Sequence, residues 1–227
     1  MTRRTRRGTT PASTSSTCCP NSSGSFCGLF LLCSTLFAHE MDQREADRTI
    51  AASSAPGEWF FSKAERLLHF FPPQPLSEAS PPVLSVHPTA LELDGNTSHV
   101  ELSGLQILHA RGSGVSAVGV HGVTLRNCTV AAHALDGVTL LGTESAVLDS
   151  VVHDVGCAGI RAHGGDDMLL RPGNLRVESN EIFGTSQWKR TYSPGIHWGG
   201  VGNTYSHNHV HDLPHNCILG GAARPTF

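Results

Sequence analysis

Three stretches of the chain concentrate side chains that can do chemistry. Gly164-Gly165-Asp166-Asp167 places two adjacent carboxylates on a glycine-rich turn, where they can serve as acid and base or brace the turn itself. Trp188-Lys189-Arg190-Thr191-Tyr192 interleaves aromatic rings with cations. His207-Asn208-His209-Val210-His211-Asp212-Leu213-Pro214-His215-Asn216 carries a further carboxylate, Asp212, flanked by His211 and His215.

The chain has 14 histidines, which raises the question of a metal. The spacing of His207, His209 and His211 predicts one shared strand face, with His197 a repeat away and His215 nearby. Zinc needs three or four converging ligands, and no H-E-x-x-H pattern is present. The expectation is therefore solvated outward histidines, no metal and no cofactor.

What positions these stretches is legible in composition and periodicity. Of the 227 residues only 15% are charged and 24 are glycine, which argues against a coiled coil, a helical bundle and wholesale disorder. Nineteen of those glycines follow residue 100. The net charge of -3 conceals a basic head, since Arg3, Arg4, Arg6 and Arg7 precede the first acid, Glu40. An acidic body whose only lysines are Lys63 and Lys189 is a poor match to a phosphate backbone, so nucleic acid is set aside as a partner.

A repeat runs through the glycine-rich part. Apolar residues flank a turn residue at fixed spacing in Leu102-Leu105-Ile107, Leu125-Cys128-Val130, Val147-Ser150-Val152, Val177-Asn180-Ile182 and Tyr205-Asn208-Val210. A β-branched residue follows each match: Val115, Val138, Ile160, Ile196 and Ile218, at intervals of 23, 22, 36 and 22 residues. Glycine precedes it four times (Gly114, Gly137, Gly159, Gly195), and Cys217 the fifth. A period near 22 with Val or Ile stacked on Val or Ile is what a parallel β-helix requires, because no coil buries its apolar edge alone. Asn180 and Asn208 fall where a stacked amide ladder would satisfy turn backbone groups. Leucine-rich repeats have similar periods, but their fixed leucine and asparagine pattern is absent. The fold class expected is all-β, a solenoid of about five coils over residues 91–221.

From about Pro56 onward the chain resembles the right-handed parallel β-helix proteins of the pectin-lyase-like superfamily, most nearly a polysaccharide-processing group. The resemblance is carried by Gly57-Glu58-Trp59-Phe60, the Gly164-Gly165-Asp166 turn, Trp188 to Tyr192, and Gly202-Asn203 with His207 to Asn216. That group resembles glycoside hydrolases and includes α-L-fucosidases. The resemblance implies a polysaccharide or oligosaccharide partner and a two-carboxylate hydrolysis, whose carboxyls stand about 5 to 5.5 Å apart for retention or 6.5 to 9.5 Å for inversion. Asp166 or Asp167 is the first candidate acid and Asp212 the second, positioned or polarised by His215. Trp188 and Tyr192 would stack on a sugar face, while Arg190 would bind hydroxyls or an acidic sugar.

The 36-residue interval adds eight residues within His163 to Leu175 and six around Gln187 to Tyr192. Insertions in a solenoid map to loops, so these two are expected to wall a cleft. With Ile160 and Ile196 inward, Arg161 and His197 point outward on neighbouring strands and form its floor. Asp166, Asp167, Trp188, Lys189, Arg190, Tyr192, His211 and His215 are then expected to converge around Arg161 and His197. Two other readings stand beside hydrolysis. A polysaccharide lyase would use Arg161 or Arg190 to acidify a proton and His197 to remove it, although no acidic calcium cluster is evident. A non-catalytic carbohydrate-binding or structural β-helix is the other.

The flanks are read separately. Residues 1–38 form a basic, Ser/Thr-rich leader with the 13-residue apolar run Phe26 to Ala38, too short to span a bilayer and similar to a secretory signal or a transit peptide. Secretion or another extracytoplasmic location is the expectation. Residues 39–90 form a linker with two aromatic runs, Trp59 to Phe61 and Leu67 to Phe71, read as a hairpin with a helix over Lys63 to Phe71 as the competitor. Cys128, Cys157 and Cys217 lack disulfide or zinc spacing and are expected as small apolar residues. At the other end the sixth coil begins at Ile218 and gives way to residues 222–227. The sequence therefore predicts a truncated solenoid whose open edge favours self-association.

Overall fold

A computed structural model describes residues 30–31, 59–62, 64–72, 74–77 and 81–221. The described residues form strands and turns with no helix, and none of their elements is a helix long and apolar enough to cross a membrane. Most of the leader and residues 222–227 lie outside the described residues, so the signal-like run and the tail are not addressed by the structure. Of that run only Phe30–Leu31 is described, a two-residue strand parallel to Val83–Leu84.

Three parallel sheets make the body, and the chain visits them in turn. Through the first run Thr89–Leu93, Ser113–His121, Val138–Thr143, Ile160–Asp166, Ile196–Gly200 and Ile218–Gly220. The second holds Glu101–Ser103, Thr124–Arg126, Ala146–Leu148, Arg176–Glu178 and Thr204–Ser206. The third holds Gln106–Leu108, Thr129–His133, Val151–Val155, Glu181–Phe183 and His209–His211. Each strand hydrogen-bonds the strand one pass later in the same sheet, giving a solenoid-like stack compatible with a β-helix.

Register follows the repeat residue for residue. Val115 faces Val138, which faces Ile160, then Ile196, then Ile218. Leu102, Leu125, Val147, Val177 and Tyr205 align in the second sheet. Ile107, Val130, Val152, Ile182 and Val210 align in the third. Strand alternation turns the three columns inward, and together with Leu140 and Leu175 they form one continuous apolar core, except that Ile218, on the last described strand, is half exposed and stays outside it. A one-residue slip would send every inward side chain to the surface, which is why the register is so tightly held.

Two-residue turns join the second sheet to the third at every level. The first residue of each adopts the left-handed conformation: Gly104, Asn127, Asp149, Ser179 and His207 have φ between 50° and 70°. Behind them runs the polar ladder expected of Asn180 and Asn208. The Asn208 side-chain carbonyl accepts the Asn180 backbone N–H at 3.1 Å and its side-chain amide at 3.0 Å. Asn180 in turn accepts the Ser150 N–H, and Ser150 Oγ accepts the Cys128 N–H. Buried turn amides are thereby paired without water.

The glycines before the β-branched column have a steric cause. A Cβ on Gly114, Gly137 or Gly159 would stand 2.6 Å from the carbonyl oxygen of the next glycine in the column, where no side chain fits. At the fifth position Cys217 precedes Ile218 on the last described strand of the first sheet, and among the described residues no further strand stacks on it. The hairpin reading of the linker corresponds to antiparallel Trp59–Ser62 and Leu67–Phe70, with Trp59 opposite Phe70. The first sheet starts at Thr89.

Candidate functional site

The two insertions leave at different corners of the stack. His163 to Leu175 departs where the first sheet hands over to the second, and folds back so that Arg171–Pro172 pairs antiparallel with Gly165 and Asp166. Gln187 to Tyr192 lies where the third sheet hands over to the first, held by the Trp188 and Lys189 N–H groups donating to the Gly156 carbonyl at 2.9 and 3.1 Å. Both belong to one pass of the chain, as the spacing predicts. They stand at opposite ends of the strand Ile160–Asp166, so they do not wall a single cleft.

That strand therefore separates the expected site residues into two groups. Arg161 lies at its start and Asp166 at its end, about 16 Å apart for five extended residues. With Asp166 and Asp167 at the far corner, the group beside Arg161 consists of His197, Trp188, Lys189, Arg190, Tyr192 and His215. Asp166 Oδ1 accepts the Met168 and Leu169 N–H groups at 2.9 and 3.0 Å, the bracing of a tight turn by an aspartate. A groove of about 490 Å³ lies at that corner, lined by His163, Asp166, Arg171, Leu141 and Gly142. His163 and Arg171 were not singled out from the sequence, since neither stands out until the insertion folds back.

At the other corner Arg161 and His197 are register partners on adjacent strands, as alternation predicts. Arg161 is held by Asp136, whose two carboxylate oxygens lie 3.0 and 3.4 Å from the guanidinium. Asp136 Oδ1 also accepts the Ala158 N–H at 2.9 Å. Sequence reading passed over Asp136, although its place before Gly137 in the repeat puts it directly beneath Ala158. Burial, and then the nearby Arg161 guanidinium, lower the His197 pKa from the usual histidine range. Burial beside the Asp136 carboxylate raises the Cys157 thiol. His197 is thus biased toward the neutral form, and Cys157 toward the inert thiol.

Trp188 and Tyr192 stand out from this corner, 52% and 74% exposed. Tyr192 faces His215 with ring centres 6.2 Å apart. Lys189 and Arg190 are exposed beside them. The corner presents flat rings around a partly buried cation, a surface able to stack on a ring and donate hydrogen bonds to its substituents.

Asp212 occupies the same corner but repeats a structural feature found elsewhere. Asp154, Gly184 and Asp212 take corresponding places at or just past the end of a strand of the third sheet, all in the left-handed conformation, with φ of 52°, 58° and 52°. Asp154 Oδ2 lies 2.8 Å from His153 Nδ1, and Asp212 Oδ2 lies 2.8 Å from His211 Nδ1. His207, expected on the same strand face as His209 and His211, instead sits in the left-handed turn before that strand.

No protein-family model matches the chain, and neither a curated protein nor a solved structure is significantly similar to it.

Proposed function

We propose that the chain is a right-handed parallel β-helix of about five coils, of the kind found in polysaccharide-processing proteins, and that it binds carbohydrate at the corner of Arg161 and Trp188. The observation that carries this reading is the pair of exposed rings, Trp188 and Tyr192, beside the partly buried Arg161 and His197. A pyranose presents an apolar C–H face and an equatorial rim of hydroxyls. Trp188 and Tyr192 supply the stacking platform, and Arg161, Lys189, Arg190, His197 and His215 supply donors for the rim or for the carboxylate of an acidic sugar.

Binding without hydrolysis is preferred because the candidate carboxylates do not meet as a pair at the aromatic corner. Asp166 and Asp167 are a strand length from the aromatic corner, Asp166 is engaged in its own turn, and Asp212 repeats the role of Asp154. Hydrolysis needs two carboxyls within about 10 Å of each other across one glycosidic bond.

The test is retention of the purified full chain on immobilised neutral and acidic polysaccharides, with release of sugar measured in parallel. Saturable retention that drops at least about tenfold on Trp188→Ala, and persists in Asp166→Asn, Asp167→Asn and Asp212→Asn, is the expected outcome. Sugar release abolished by one of the aspartate changes would replace this reading with a hydrolase. Absence of both retention and release across the panel would overturn the carbohydrate assignment.

A further inference from the structure

The outer face of the third sheet carries a cluster that the carbohydrate reading does not use. Glu181 and His209 are register partners on adjacent strands, and His211 lies two residues further along, on the same outward side. With Ile182 and Val210 turned inward, alternation leaves Glu181, His209 and His211 on one surface. One ligand atom from each lies within 4.8 Å of the others.

His211 is set in place by three contacts. Its ring stacks on Phe183, centres 5.2 Å apart and 13° from parallel, and Phe183 stacks on His153 below it. Its Nδ1 meets Asp212 Oδ2 at 2.8 Å. A carboxylate only accepts, so Nδ1 carries the proton, and in the neutral ring the lone pair lies on Nε2. That Nε2 lies 3.4 Å from Glu181 Oε1, to which it donates when the ring is protonated and with which it can share an ion when it is not. Two ligands at about 2.1 Å from a tetrahedral zinc are themselves about 3.4 Å apart, so this pair already has the spacing of a shared ion. The His209 ring is centred 4.4 Å from that of His211 and completes a three-sided arrangement.

We propose that Glu181, His209 and His211 form a binding site for a divalent transition ion of the zinc class, with Asp212 orienting His211 from behind. Two imidazoles and one carboxylate suit zinc and its neighbours, whereas calcium and magnesium prefer all-oxygen sets. Three protein ligands on an outward face leave the fourth position to water or to a small anion. The repeat supplies an internal control. His153–Asp154 has the same hydrogen bond and the same stacking, but its strand carries Val151 where the other carries His209, so there the ring has no second imidazole beside it.

The test is calorimetric titration of the full chain with Zn2+, after alkylating its cysteines so that thiolates do not compete. One equivalent is expected to bind. Glu181→Gln and His209→Ala should each weaken it at least about tenfold, and Asp212→Asn about 10- to 100-fold. His207→Ala should leave it unchanged. Glu181→Gln keeps the shape of an exposed side chain, and far-UV circular dichroism confirms that each variant remains folded. No binding, or binding that survives in both Glu181→Gln and His209→Ala, or binding lost in His207→Ala, would overturn the site.

Discussion

The third sheet puts histidine on both of its faces, and the two faces treat the same side chain in opposite ways. His133 is fully buried. Its Nδ1 accepts the Ala110 N–H at 3.0 Å and its Nε2 meets the Ile107 carbonyl at 2.9 Å, so one neutral tautomer satisfies both neighbours. Burial lowers its pKa to about 4. On the outer face the hydrogen bond that His211 donates to Asp212 raises the pKa of His211, whose surroundings are open to water. The inside of the solenoid uses histidine as a neutral strut bridging two backbone groups. Its outside offers histidine as a ligand or a donor. Whether the side chain faces the core or the solvent, not the residue type, decides its chemistry.

The sharpest way to break this comparison is to truncate neighbours on opposite faces of one strand. Ile160→Ala opens a cavity in the buried column and should cost about 2–5 kcal/mol in thermal or denaturant unfolding. Arg161→Ala, one residue along, should cost about 1 kcal/mol, because Asp136 keeps its backbone partner Ala158. Equal losses at the two positions would contradict the inside-outside assignment.

Acid tests the interior histidine itself. The His133 pKa is depressed in the folded chain, so between pH 6.5 and about 4 the unfolded state holds a proton that the folded state refuses. Stability is then full above pH 6.5 and declines by about 3 kcal/mol as the pH falls to 4. His133→Leu should flatten this decline while lowering stability at neutral pH, since the Ala110 N–H loses its acceptor. An unchanged acid profile in His133→Leu would place the titrating group elsewhere.

A smaller effect separates the middle of the polar ladder from its end. Asn180 is buried and serves Ser150, Val147 and Asn208, so Asn180→Ala should cost about 2 kcal/mol by stranding the Ser150 N–H. Asn208→Ala, at the last described turn of the ladder and partly exposed, should cost less, with urea midpoints as the readout. The reverse order would show that the ladder is anchored from its Asn208 end.

How much of this was legible beforehand differs between core and site. The columns of Val115, Val138, Ile160, Ile196 and Ile218, and the amide ladder of Asn180 and Asn208, were readable because each repeat must bury the same edge against the next. Even His133 had a signal, since it occupies the position that Val155 fills one pass later. The placing of Arg161 beside His197 followed from alternation alone. Asp136 was missed because its partner Arg161 is 25 residues away and belongs to the following pass. The shared cleft failed because counting extra residues locates an insertion within a pass but does not say at which corner it leaves.

The amino-acid sequence by itself determined the period, the parallel register and the inward columns of this protein, because hydrophobic burial repeats with the chain and leaves a regular trace in it. Only the tertiary structure decided which outward residues meet. Asp166 was carried away from Trp188 by the length of one strand, and Glu181 was brought to His209 across 28 residues by the pairing of two. Outward contacts depend on the corners and on the stacking of one pass over another, and neither is encoded by local pattern.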